Sequence, residues 1–270
     1  MNFATLATTL DAHIATITLN RPDKANAMNA PLWHDIGQAM RWADETRDVR
    51  VVIVAGNGAN FCSGIDLNML MALGEKINDV DQARQQEKLR YVILELQDAL
   101  SAIERCRKPV IAAIHGACVG GAIDLVTCCD MRYASQEAYF SIKEIDIGMT
   151  ADVGTLQRLP KIINPAVVRE LAYTGRQILA DEALSIGLVN RVFDSPAALI
   201  AGVNDIAALI AAKSPLAIRG IKEMLNYARD HSVTDGLNYV ATWNAAMLMS
   251  ADLQEAMSAK TEKRAPQFRD

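Results

Sequence analysis

Apolar and polar residues alternate from Phe3 to Leu10 and again from His13 to Asn20, the period of strands with one face in a core, and Leu10-Asp11-Ala12 between them predicts a hairpin. After a loop at Arg21-Pro22-Asp23-Lys24 the spacing becomes helical. Asn29 is placed to cap this helix, Pro31 suits its first turn, and the pattern runs to about Arg47. Val51 to Ala55 is a short apolar run that predicts a buried strand. A loop rich in Gly and Asn, Gly56 to Gly64, leads to a long amphipathic helix from about Val80 to Cys106. Pro109 to His115 is a second buried strand, Gly116 to Gly121 a glycine-rich turn, and Gly121 to Cys129 a helix. Strand-like stretches from Met131 to Ala134 and from Ala138 to Ile142, then a loop to Asp152, complete a series that reads as repeated strand-strand-helix units.

Beyond a strand at Val189 to Phe193 the pattern changes. Ala197 to Lys213, Pro215 to Asp230, Val233 to Ser250 and Asp252 to Lys263 form four helices in near-continuous order. The expected organisation is therefore an α/β core over residues 1–195 and a helical region over 196–270. Trp243, Met247, Met249 and Met257 fit either packing within the chain or contact with another subunit.

Composition narrows the chemistry. At 270 residues and 51% apolar, the chain can bury a large core. A net charge of -5 supplies no basic field, which argues against nucleic acid as a partner. The five cysteines are odd in number with no C-x-x-C pair, and Cys128-Cys129 beside Asp130 lacks a neighbouring histidine; reduced thiols and no metal are expected. The longest uncharged runs, Pro109 to Ile123 and Gly236 to Ala251, fall short of the roughly 20 residues that span a bilayer, so no membrane segment is expected. The first basic residue is Arg21, after polar threonines, which predicts no export signal.

Several mechanisms lack their motifs. Gly56-Asn57-Gly58 follows a strand but has Phe61 where a dinucleotide fingerprint needs glycine, and no phosphate loop, serine-nucleophile elbow or H-E-x-x-H pair occurs. What remains are two glycine-bearing strand ends, Cys62-Ser63-Gly64-Ile65-Asp66-Leu67 and Gly116 to Asp124, and nearby acids. Such glycines make either ordinary tight turns or a close backbone approach whose free N–H groups converge on an anion. Asp124 suits the first turn of a helix, Glu144 a solvated charge or a buried acid, and Asp152 an N-cap or a proton carrier.

Taken together, the segments Leu19-Asn20-Arg21-Pro22, Asn60 to Leu67, Lys108 to Ala113 with His115-Gly116, Gly120-Gly121, Cys129-Asp130-Met131-Arg132 and Gln157-Arg158-Leu159-Pro160 resemble the crotonase, or enoyl-CoA hydratase/isomerase, superfamily over nearly the whole chain. The resemblance implies a ClpP-like spiral of ββα units with a C-terminal helical trimerisation region. It also implies an acyl-CoA substrate, no separate cofactor, and a homotrimer or dimer of trimers. The N–H groups of Ile65 and Gly121 would form an oxyanion hole within a substrate-binding stretch of Ser63, Gly64, Ile65, Asp66 and Leu67, with Lys24 and Ala25 near the coenzyme A adenine. Family hydratases carry glutamate at the positions of Asp124 and Glu144 and glycine at that of Asp152. The set Asp124, Glu144 and Asp152 looks instead like the Δ3,5-Δ2,4-dienoyl-CoA isomerases, with hydration or Δ3,Δ2 isomerisation as the rival reading within the family and a non-catalytic acyl-CoA- or RNA-binding homologue as the rival of another class. The usual peroxisomal tripeptide is missing after Phe268-Arg269-Asp270, so a cytoplasmic enzyme is expected.

Overall fold

The computed structural model describes residues 3–270. A hairpin opens the chain, with β1 (Leu6–Asp11) antiparallel to β2 (Ile14–Leu19). Ala12 and His13 turn it, both at positive φ, 45° and 69°, the backbone sense that matches strand twist in a two-residue turn. α1 (Ala30–Glu45) starts as its sequence predicts, with the Asn29 side chain accepting from Leu32 N at 3.1 Å. β3 (Val51–Gly56) follows, then α2 (Leu67–Ile77) and α3 (Gln82–Arg105).

Two strand-strand-helix units come next. β4 (Val110–Ile114), β5 (Ala117–Val119) and α4 (Gly121–Thr127) form one; β6 (Met131–Ser135) and β7 (Tyr139–Ser141) open the other, which continues through a 3-10 turn at Glu144–Ile147 into α5 (Thr155–Arg158) and α6 (Pro165–Thr174). The chain then passes through β8 (Ile178–Leu179), α7 (Ala180–Ser185) and β9 (Arg191–Phe193) to α8 (Pro196–Ala211), α9 (Pro215–Asp230), α10 (Val233–Met247) and α11 (Ala251–Thr261).

The first strand of each unit joins a six-stranded sheet, β1-β2-β3-β4-β6-β9, parallel except at β1; the second joins a smaller sheet, β5-β7-β8. In the β3 unit the second strand shrinks to one bridge, Cys62 to Cys118. Both faces of the large sheet are covered, as parallel sheets require. Val52, Val54, Val110 and Ala112 enter the main core with Leu32, Ile36, Leu100 and Ile103, while Val51, Ile53, Ile111 and Ala113 meet Leu199, Val203, Ala207 and Ala211 of α8. The last four sit at i, i+4, i+8 and i+12, one helix face. The helical region expected over residues 196–270 does not stand wholly apart from the sheet. α8 instead closes the sheet's second face, and apolar side chains become exposed on α9 to α11, among them Leu225, Val233, Leu237, Met247 and Met257. Among the described residues no single helix is long and apolar enough to cross a membrane.

Candidate active site

The glycine-bearing strand ends meet. Cys62 N–H donates to Ala117 O at 2.9 Å and Val119 N–H to Cys62 O at 3.1 Å, so the loop after β3 runs beside β5. Met28 closes the other side, its N–H donating to Gly64 O at 2.7 Å and its carbonyl accepting from Asp66 N at 3.1 Å. Trp33, whose indole Nε1 donates to Met28 O at 3.1 Å, holds that wall. The approach admits no side chain: Gly64 has φ +93°, and a Cβ there would lie 2.7 Å from Val119 O and 3.4 Å from Gly121 N. A Cβ on Gly121 would meet Met28 Cε at 2.6 Å and come within 3.8 Å of Ile65 N. Two main-chain donors therefore lie side by side. Neither Ile65 N–H nor Gly121 N–H has a protein acceptor among the described residues.

Both amides border a cavity of about 380 Å³, with Lys24, Ser63, Gly64, Asp66, Leu67, Gly120 and Glu144 also in its walls. Ala25 is not in that wall. It takes a left-handed conformation, φ 47°, and its carbonyl accepts from Ser63 N at 3.0 Å, so it shapes the rim from behind. Asp66 is a framework residue as well as a lining one: it caps α2 through Asn68 N at 3.0 Å and pairs with Arg21 at 3.0 Å. Burial pulls its carboxyl upward, but these partners hold it below the usual range.

The three acids lie within charge range of one another, and of them only Glu144 enters the cavity wall. Asp124 is completely buried; its Oδ1 accepts from Thr155 N at 2.6 Å, while Oδ2 has no partner. Burial, with the charges of Glu144 and Asp152 adding to it, pushes this carboxyl up to about 7, against the opposing hydrogen bond from Thr155 N–H. The helix position expected to favour its charge is thus overridden by desolvation. Glu144 begins the 3-10 turn, half-buried rather than solvated, with Oε1 3.4 Å from where a Cβ on Gly120 would stand and Oε2 sequestered without a partner. Its carboxyl is raised by burial and by Asp152. Asp152 is half-buried and also raised by burial; it is not the cap of α5, whose N-cap is Gly154. Neither Asp124 nor Asp152 lines the 380 Å³ cavity itself.

Residues with no sequence signal complete the site. Thr155 reaches Asp124 through its backbone, and Gln97 Nε2 donates to the Asp152 carbonyl at 2.6 Å from 55 residues away. Burial pushes the thiols of Cys62, Cys128 and Cys129 up to about 12, away from the thiolate form that a nucleophile needs. Among the described residues no cluster of His, Cys, Asp and Glu could hold a metal ion.

A two-sheet spiral of strand-strand-helix units defines a crotonase-fold protein. The chain belongs to the enoyl-CoA hydratase/isomerase family, whose model matches residues 9–270. It is 49% identical over 259 residues to the peroxisomal Delta(3,5)-Delta(2,4)-dienoyl-CoA isomerase of Arabidopsis thaliana, covering 96% of this chain and 93% of that one. The mitochondrial enzyme of the same name from Homo sapiens is 46% identical over 260 residues, covering 95% and 79%. Among solved structures, an enoyl-CoA hydratase from Bacillus anthracis superposes with a TM-score of 0.89 at 30% identity, covering 98% and 99%. The expectation of a cytoplasmic protein is corrected by these names, which belong to organellar enzymes. Compartment is addressed by short signals independent of the fold, and one missing tripeptide does not exclude the others.

Proposed function

We propose that the protein isomerises 3,5-dienoyl-CoA to 2,4-dienoyl-CoA, and that the free amides of Ile65 and Gly121 form the oxyanion hole for its thioester oxygen. Removing a proton from C2 makes an enolate whose charge spreads along the diene to C6. Fixed donors aimed at that oxygen each stabilise the transition state by about 3 to 4 kcal/mol. Glu144, beside Gly120 and next to the amides, takes the C2 proton; Asp152 returns a proton at C6. The double bonds then stand at C2 and C4. Asp124, protonated more readily than an ordinary carboxyl, limits the negative charge between its two neighbours.

The observation that carries this reading is that three acids, each raised by burial, lie close enough for their charges to interact, and that Glu144 shares a cavity wall with two unpaired amides. An acid at position 152, rather than the glycine of the hydratases it resembles, favours isomerisation over hydration. Lys24 at the rim, with Ala25 setting the backbone beside it, supplies the coenzyme A contact, with coenzyme A entering as part of the substrate. The exposed apolar side chains on α9 to α11 are the surface for a homotrimer or dimer of trimers. Following ultraviolet absorbance with 3,5-dienoyl-, 3-enoyl- and 2-enoyl-CoA tests the activity. Fast conversion of the first and slow conversion of the others is expected, whereas preferential hydration of 2-enoyl-CoA would overturn it.

A further inference from the structure

Residues 152–158 do more than carry one acid. Asp152 opens the segment, Thr155 N–H holds Asp124 Oδ1 at 2.6 Å, and Arg158 closes it. The bend between them passes through Gly154 at φ +135°, where a Cβ would run into the Arg158 guanidinium. The segment therefore sets where two of the three acids stand.

What holds the segment is a polar stripe on α3. Gln97, Ser101 and Glu104 follow at i, i+4 and i+7, one helix face turned toward the segment. Gln97 Nε2 donates to Asp152 O at 2.6 Å. Arg158 Nη2 donates to Ser101 Oγ at 3.1 Å and to Glu104 Oε2 at 3.0 Å, with Nε adding a 3.2 Å bond to the same oxygen. Glu104 also accepts from Arg229 near the end of α9. The Arg158 and Glu104 side chains are 16% and 18% exposed, so this pair is shielded more than a surface bridge. An apolar stripe would hold α3 in the core equally well; polar groups that bond main chain and guanidinium fix a direction as well.

We propose that the Gln97–Ser101–Glu104 seam, acting through the Asp152 carbonyl and Arg158, positions Asp152 for proton delivery at C6. These are positioning residues, and the proposal rests on the isomerase reading above. Its signature is selective. The enolate forms at C2 through Glu144 and the amides, which the seam does not touch, whereas protonation at C6 needs Asp152 in place.

The test uses the whole protein and 3,5-dienoyl-CoA in deuterium oxide. Isomerisation is read by absorbance, and deuterium entering C2 of recovered substrate by mass spectrometry. Gln97→Met is expected to lower kcat for isomerisation by about 10- to 100-fold, with KM and C2 exchange within about threefold of the parent, the scale for a misplaced group of about 1 Å. Arg158→Lys keeps the charge, loses the fork and is expected to show the same split; it carries the test if Gln97→Met does not fold. Unchanged isomerisation in folded Gln97→Met or Arg158→Lys overturns the seam, as does a parallel loss of exchange and isomerisation. Failure of the parent protein to convert the dienoyl substrate overturns the isomerase reading instead.

Discussion

Replacing Gly64 by alanine puts strain and steric overlap at the point where the two unpaired amides meet. At φ +93° an L side chain costs about 1 to 3 kcal/mol in backbone strain alone. The new Cβ would also lie 2.7 Å from Val119 O, a main-chain atom that cannot rotate away, and 3.4 Å from Gly121 N. Relief requires the Ile65 peptide and the end of β5 to separate by several tenths of an ångström, which spoils the alignment of one donor. Loss of one such donor lowers kcat by about 10² to 10³. A destabilisation of about 2 kcal/mol lowers Tm by about 4 to 8 °C in a chain of this size. Gly187→Ala is the control. That glycine has φ +81° with nothing within 4 Å of a Cβ, so it carries the backbone strain without the collision and lies outside the site. Steady-state turnover of 3,5-dienoyl-CoA, with thermal denaturation of both variants, decides the matter: Gly187→Ala should lose several degrees and keep its kcat. Gly64→Ala retaining turnover within about threefold, or Gly187→Ala losing as much turnover as Gly64→Ala, would refute the amide geometry as the source of the effect.

Other perturbations read the acids. Asp152→Asn should lower isomerisation by about 10² or more while leaving deuterium exchange at C2, and equal loss of both would remove Asp152 from the second proton step. Asp124, held at about 7 in the folded protein against an ordinary 3.8, binds its proton more tightly folded than unfolded. Its contribution is therefore full at low pH and is lost as pH rises from about 4 to about 7, at about 1.4 kcal/mol per unit. Asp124→Asn should gain a few kcal/mol on the parent near pH 8 relative to pH 4 by thermal denaturation; a difference independent of pH would contradict this. For kcat/KM, the base Glu144 must be ionised and the acid Asp152 protonated. Both are raised, so the profile should be a bell with its limbs above the ordinary carboxylate values, and Asp124→Asn should leave that bell shape in place.

Local chemistry made much of the frame legible. The Asn29 cap and the apolar runs at Val51 and Val110 each depend on neighbours in sequence and form as read, whereas the hairpin forms with its turn at Ala12-His13 rather than around Asp11, and only β2 alternates in burial. α2 escaped although Met69, Leu70, Leu73 and Ile77 recur at helical spacing, because its capping residue Asp66 reads equally well as part of a ligand loop. β5 escaped because its three residues are strand only by pairing with β7 across the α4 turn. The acids themselves were visible as residue types, but their separation from water was not. Asp124 at a helix start suggests a charge favoured by the dipole, and only the packing of α4 beneath α5 turns it into a carboxyl that resists ionisation. Gln97 and Thr155 carry no local signal at all, because their roles exist only through contacts 55 and 31 residues away.

Buried polar atoms without partners show where the fold concentrates its unfavourable terms. Six occur among the described side chains, and three of them, Asp124 Oδ2, Glu144 Oε2 and Thr155 Oγ1, belong to the acid cluster. Each costs about 1 to 3 kcal/mol relative to a satisfied group, so the cluster opposes folding and must be held by packing elsewhere. That packing is the sheet covered on both faces and the α3 seam, and neither contributes an atom to the cavity wall of Lys24, Gly64, Ile65 and Glu144. The arrangement separates the groups that supply stability from those that keep carboxyls poorly solvated and ready to exchange protons. Substitutions that satisfy the orphaned oxygens should therefore stabilise the protein and slow it, and the Asp124→Asn variant, measured for both Tm and kcat, tests that opposition directly.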